Sequence, residues 1–281
     1  MEVSLVSSAQ RSKERRRGFT LVEMLVVVAI IGILASLITA VAFRAQVQAK
    51  VTVVQTELNM GLGAALERYK QEHGEYPPDF TDQAAVLRHL KKRFPRWRYS
   101  GSPLAALPNG GQMTPAAALV FWLGGPSDGS TPPKLLGFSA NQKNPFDISP
   151  TRIQPTFDFD RERLTRDASG MPVYCSPSVT VHPNHAYVYF RANPAAAAGA
   201  EYLPTGITLA SGETVTPFYN DKLQEWVNPK GFQIISPGFD MKFGATVDSK
   251  PGQFPSGLNY GPAMFDNICN FGEGTLESSQ P

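Results

Sequence analysis

The chain reads as an α+β protein, in which a long N-terminal transmembrane helix leads into a loop-rich C-terminal head with a small antiparallel sheet. Three features predict this. Residues 19–43 are an apolar run whose single ionisable residue is Glu23. Beyond it, apolar residues recur at helical spacing to about residue 72. From residue 80 onward Pro and Gly divide the chain into short segments, leaving room for loops and a few short strands.

The first 18 residues hold the basic character of the molecule. Arg11, Lys13, Arg15, Arg16 and Arg17 stand against Glu2 and Glu14, a balance of +3 in a chain of net charge +2. The other 263 residues therefore sum to −1, which excludes a globally cationic nucleic-acid binder. The apolar run follows. As a helix, its 25 residues rise about 37 Å, enough to cross a hydrocarbon core of about 30 Å. It exceeds the about 7–15 residues of a secretory signal. With Arg and Lys on its N-terminal side, residues 1–18 are expected in the cytoplasm and the C-terminal part outside. Within the run, Glu23 has no Lys, Arg or His in helical reach before Arg44. A carboxylate in lipid costs about 2.5–3.5 kcal/mol at the centre of a helix. Two readings stand: a headgroup-facing side chain, or a group whose partner is an amine made by cleavage after Gly18.

The helix should continue past the membrane. Val47, Val51, Val54, Leu58, Leu62, Ala65 and Tyr69 mark one face, expected to pack on the head. Gly61 and Gly63 weaken its middle, and Gly74 with Pro77 and Pro78 ends it. Residues 19–72 would then span about 80 Å. Thr81 is expected to cap a helix running to Phe94, and Thr114-Pro115 to open another through Leu123. Strands are expected at 172–175, 178–182, 185–190 and 232–236, with loops over 124–170. The organisation is a leader at 1–18, a membrane helix at 19–43, its extension at 44–72, and a head at 73–281 ending in a loop region, 231–281.

The stretch Gly18-Phe19-Thr20-Leu21-Val22-Glu23, after a basic leader and before an apolar run, resembles the class III signal of type IV pilins and type II secretion pseudopilins. The resemblance covers about residues 15–43. It implies that a prepilin peptidase cuts between Gly18 and Phe19, that Phe19 is N-methylated, and that Glu23 pairs with a neighbour's N-terminus during assembly. It also implies a pilin spine, other pilin-like subunits and an inner-membrane assembly platform as partners, and an inner-membrane anchor with its head outside the cytoplasm. Where many family members have a proline, this chain has Ala40, so the helix should run on unbroken there. A second match, "YKQEHGEYPPD" at 69–79, resembles the junction after the spine in the major pseudopilin. The head is larger than a compact major pseudopilin implies, which suits a minor subunit or an enlarged lineage.

The C-terminal stretch around "GFDMKFG" and "FDNIC" resembles that family's calcium loop. This makes Asp240, Asp248, Asp266 and Asn267 candidate Ca²⁺ ligands, with Asp240 and Asp266 the best matched. Met241 stands where a glycine is usual, and turn residues bonding their own backbone would look the same. The two cysteines, Cys175 and Cys269, could pair in an exported head or remain buried thiols.

Residues 88–99, "RHLKKRFPRWRY", interleave six Lys or Arg with Phe94, Trp97 and Tyr99. Such a mix suits a solvated helix face, an acidic partner or a phosphate backbone. His182 and His185 read as loop or strand residues, because Pro183 breaks the register a metal pair would need. The sequence contains no phosphate loop and no His-Glu-x-x-His, and no enzyme is expected. The competing functions are a DNA-binding type IV or competence pilin, and a membrane-anchored binding domain that never polymerises.

Overall fold

The computed structural model describes residues 19–148, 151–177, 180–209, 211–247 and 250–281. The leader with Gly18, Asp248, and Ser178 and Val179 of the expected strand at 178–182 therefore lie outside the described residues, and Thr180–His182 form no strand. The chain divides into two units, ending and beginning at Gln48 and Ala49. The extension expected as a separate segment from 44 to 72 thus belongs largely to the head unit.

α1 (Leu21–Thr56) begins in the first unit, where from Leu21 to Phe43 it is apolar around its circumference apart from Glu23. Leu21, Val22, Leu25, Ile30, Ile33, Leu37, Val41 and Phe43 are all exposed. A helix apolar on every face is built for an apolar surrounding. By length and composition it can cross a membrane. Ala40 is helical, as its replacement of proline predicts.

In the second unit the helix changes pitch. Residues Glu57–Gly63 form a π segment, followed by α2 (Ala64–His73). Gly63 is required there, since a Cβ would come within 2.8 Å of the Leu58 carbonyl oxygen five residues earlier. That carbonyl is the acceptor position of a π turn. The expected stripe is buried from Val51 through Tyr69, and Leu66 joins it. Gly74 ends α2 in the left-handed region, φ 77°, its N–H donating to the Lys70 carbonyl.

α3 (Gln83–Arg93) starts one residue later than expected. Asp82 is the N-cap, accepting from the Ala84 and Ala85 N–H groups, whereas the Thr81 hydroxyl donates to Asp79. α4 (Pro115–Gly124) is capped by Thr114 as expected and is buried along its whole length. It packs on α2 and on two strands, β2 (Pro172–Tyr174) and β3 (Val188–Arg191).

Among the described residues the head holds four small sheets rather than one. β1 (Leu164–Arg166) pairs with β2. β3 pairs with β8 (Phe232–Ser236), which pairs with β10 (Ile268–Cys269), all antiparallel. β4 (Ile207–Thr208) pairs with β5 (Thr214–Val215). β6 (Tyr219–Asn220) is antiparallel to β7 (Glu225–Trp226) and parallel to β9 (Gln253–Phe254), so one sheet is mixed. Every residue of β3 and β8 is buried. Around them Phe218, Trp226, Phe243, Tyr260 and Met264 form the core.

Candidate functional site

The first candidate is the N-terminus of α1. Thr20 and Glu23 form a reciprocal capping box, in which Glu23 Oε2 accepts from the Thr20 N–H and hydroxyl, both at 2.8 Å. The Glu23 N–H in turn donates to Thr20 Oγ1 at 3.2 Å. Glu23 is therefore not without a partner, which corrects the expectation of an unpaired carboxylate. A four-residue signal, Thr-x-x-Glu at 20–23, encodes it, and the search for cations alone misses it. The box also sets a negative charge against the positive end of the helix dipole. Phe19, one residue before the cap, is exposed.

The second is the junction at 69–79, where polar groups join the helix to the head. Tyr69 and His89 are buried, with the phenol oxygen 2.7 Å from His89 Nε2. His89 Nδ1 lies 2.9 Å from Glu75 Oε1, and Arg191 donates to Glu75 Oε2 at 2.8 Å. The His89 hydrogen bond, reinforced by positive neighbours, holds Glu75 down at about 2, while burial pushes the imidazole down. These directions fit a neutral His89 that donates through Nδ1 and accepts through Nε2. Tyr189 and Trp122 donate to the carbonyls of Pro77 and Pro78.

Glu57, which lies off the apolar stripe, is the centre of a third cluster. Arg163 binds it through two hydrogen bonds of 2.7 and 2.6 Å, and the Tyr174 and Tyr187 hydroxyls donate to the same carboxylate. The Arg163 guanidinium also donates to the Cys175 carbonyl and stacks over Tyr174. No local pattern announces it, because Arg163 lies 106 residues away.

Of the four candidate ligands in the C-terminal loop, Asp240, Asp266 and Asn267 lie among the described residues. The Asp266 carboxylate accepts the Asp240 N–H at 3.0 Å, and burial with the neighbouring Asp240 charge raises its pKa. Asn267 is buried and its amide is structural, accepting from the Gly238 N–H and donating to the Phe243 carbonyl. Asp240 caps its own turn through the Lys242 N–H. Met241 has φ 62°, so the backbone keeps the conformation of a glycine although the residue has changed. Two carboxylates thus approach here, fewer donors than the about six to eight oxygens of calcium. Among the described residues no group of three or more His, Cys, Asp or Glu is gathered for a metal.

Cys175 and Cys269 are both free and buried, which corrects the disulfide alternative. The Cys175 thiol donates to the His182 carbonyl, and Cys269 sits in the core beside β8. His185 Nδ1 is 2.8 Å from the Thr180 carbonyl, and His182 caps a short turn. In residues 88–99, Phe94 packs on Phe138 and Phe146, and Trp97 on Phe146. Arg88, Lys91, Lys92, Arg96 and Arg98 remain exposed.

Comparison with known proteins meets this geometry at the N-terminus. Residues 13–39 match the family model of the prokaryotic N-terminal methylation motif. The chain is 42% identical over 76 residues to type II secretion system core protein G of Pseudomonas aeruginosa, which is 27% of this chain and 53% of that protein. It is 39% identical over 64 residues to core protein G of Klebsiella pneumoniae, 23% of this chain and 45% of that one. Over part of its length the chain is thus similar to core protein G, and it carries the N-terminal methylation motif. It spans about half the length of the curated relatives it matches. No solved structure matches it. By length and composition α1 can cross a membrane, and the two matches cover 27% and 23% of this chain.

Proposed function

We propose that the chain is a structural subunit of a pseudopilus serving type II protein secretion. In this reading it inserts through α1 with its head outside the cytoplasm and is cut after Gly18 by a prepilin peptidase. N-methylation of Phe19 and packing against other pilin-like subunits on an inner-membrane platform follow. The role is structural and requires no catalysis. The observation that carries it is the capping box. A carboxylate is held at the first turn of a helix that is apolar and exposed as far as Phe43, four residues beyond Phe19, whose amine cleavage would expose.

Because Thr20 already binds Glu23, assembly does not rescue a bare carboxylate. It adds a full positive charge, a neighbour's Phe19 amine, to an acceptor that neutral donors hold in place. Two variants separate capping from charge. Glu23→Ala removes both, whereas Glu23→Gln keeps a side-chain acceptor for the Thr20 N–H and loses only the charge. Both should insert and be cleaved, and both should fail to enter filaments, scored by cross-linking of neighbouring subunits in the membrane. Normal incorporation of Glu23→Gln would reduce the residue to a cap and sink the proposal.

Calcium belongs to the same reading as a separate proposal, with Asp240 and Asp266 as the carboxylates and backbone carbonyls completing the shell. Bound Ca²⁺ would offset the burial, and the lesser Asp240 repulsion, that raise Asp266. Thermal unfolding with Ca²⁺ against chelator should show stabilisation that Asp266→Asn removes. Identical curves would dismiss the ion.

A further inference from the structure

A cavity of about 680 Å³ in the head lies between the end of α2, the end of α3 and the loop residues 138–145 and 153–156. Its size is that of a ligand site. Arg68, Lys92, Arg93 and Arg96 line it, with Phe94 and Ile153 as its apolar side. None of the four cations forms an ion pair among the described residues. Lys92 has neither an acceptor nor an ion-pair partner there. Arg96 reaches only the Gln142 amide oxygen, at 3.1 Å, and Arg68 the Thr156 carbonyl, at 3.5 Å.

Arg93 is the most telling of the four. Half-buried, it donates to the Tyr69 hydroxyl and lies over the Phe138 and Tyr69 rings, 4.2 and 4.7 Å from their centroids. Cation–π contacts retain such a charge without neutralising it. The lining carboxylate, Glu72, is exposed and sits 4.0 Å from His73. Burial first, and then the nearby Arg93 and Lys92 charges, push His73 down to about 4.

We propose that this cavity binds an acidic segment of a partner protein, seating a carboxylate among Lys92, Arg93 and Arg96 and an aliphatic side chain against Ile153. Carboxylate suits the planar guanidinium fork, whose paired N–H donors match its two oxygens. A nucleic acid fits poorly. It needs charges spread along a track and open rings for stacking, whereas Trp122 and Phe138 behind this cavity are sealed, 0% and 4% exposed. Ile153, by contrast, is 55% exposed. The proposal concerns the head alone and does not depend on filament assembly.

The test uses the full chain in non-ionic detergent micelles and a fluorescein-labelled Glu-Glu-Leu-Glu-Glu peptide, read by fluorescence anisotropy. Controls are the same peptide with Gln for each Glu, and single-stranded oligothymidine. Lys92 and Arg96 are exposed, so the Lys92→Gln/Arg96→Gln double variant should melt like the parent. The acidic peptide should bind, more weakly as salt rises, and the double variant should lose at least about tenfold in affinity. Equal binding of the Gln peptide, unchanged affinity in the double variant, or binding of oligothymidine in preference to the acidic peptide would overturn it.

Discussion

Glu57 shows at residue scale how a side chain outside every recognisable motif can organise the head. One carboxylate takes four hydrogen bonds, two from Arg163 and one each from Tyr174 and Tyr187, and both partners of the ion pair are only about 15% exposed. Removing it leaves a guanidinium and two phenols without their acceptor. Glu57→Ala should therefore cost about 3–5 kcal/mol in urea unfolding of the detergent-solubilised chain. A loss below about 1 kcal/mol would show that water replaces the carboxylate easily. Legibility divides sharply here. The Thr20–Glu23 box spans four residues and could be read directly. Glu57 and Arg163 meet only after the head folds, and a buried amide such as Gln233, bridging Phe218 and Val227, is equally invisible beforehand.

Among the elements, helices followed the sequence closely because their signals are local. The apolar stripe, the Gly74 stop and the Thr114-Pro115 start all rest on contacts within a few residues. The shift from Thr81 to Asp82 as cap arose because Asp79, a buried carboxylate, claims the Thr81 hydroxyl. Strands fared worse. β4, β5, β6, β7, β9 and β10 are each two residues long, too short for any alternation to register. β8, whose FQIIS carries a continuous apolar centre, was legible throughout. The π segment was marked by Gly61 and Gly63, although their conformation was not predictable. Gly63→Ala should destabilise the chain by about 1–3 kcal/mol, since its methyl would strike the Leu58 carbonyl. Gly32→Ala, with nothing within 4 Å, should be neutral or slightly favourable to the helix. Thermal melts of the two variants compare them directly, and equal behaviour would mean that the π turn relaxes into a regular helix at little cost.

For the whole molecule, the acid response follows from where ionisable groups are buried. His73 is depressed to about 4, and burial lowers His89 as well. The unfolded chain therefore binds more protons below about 6.5, so stability present at neutral pH is lost as the pH falls from about 6.5 toward 4. His73 alone contributes on the order of 2–3 kcal/mol across that window. Glu75, held at about 2, adds a loss at lower pH, beginning near its ordinary value of 4.5. His73→Gln should flatten the upper part of the pH–Tm curve and leave the lower part unchanged. An unchanged slope between 6.5 and 4 would remove His73 from the account.

The kinship and the head are carried by different parts of the chain. The family motif occupies residues 13–39, and the head core lies in long-range contacts among β3, β8 and β10 that neither relative reports on. The central claim is that this chain becomes a pilin-like subunit by processing at Gly18–Phe19. N-terminal peptide mass spectrometry of the protein from its native membrane, with the prepilin peptidase active, tests it most directly. The account predicts a chain beginning at N-methylated Phe19. A chain still beginning at Met1 would contradict it, leaving the Thr20–Glu23 box as an ordinary helix cap on a static anchor.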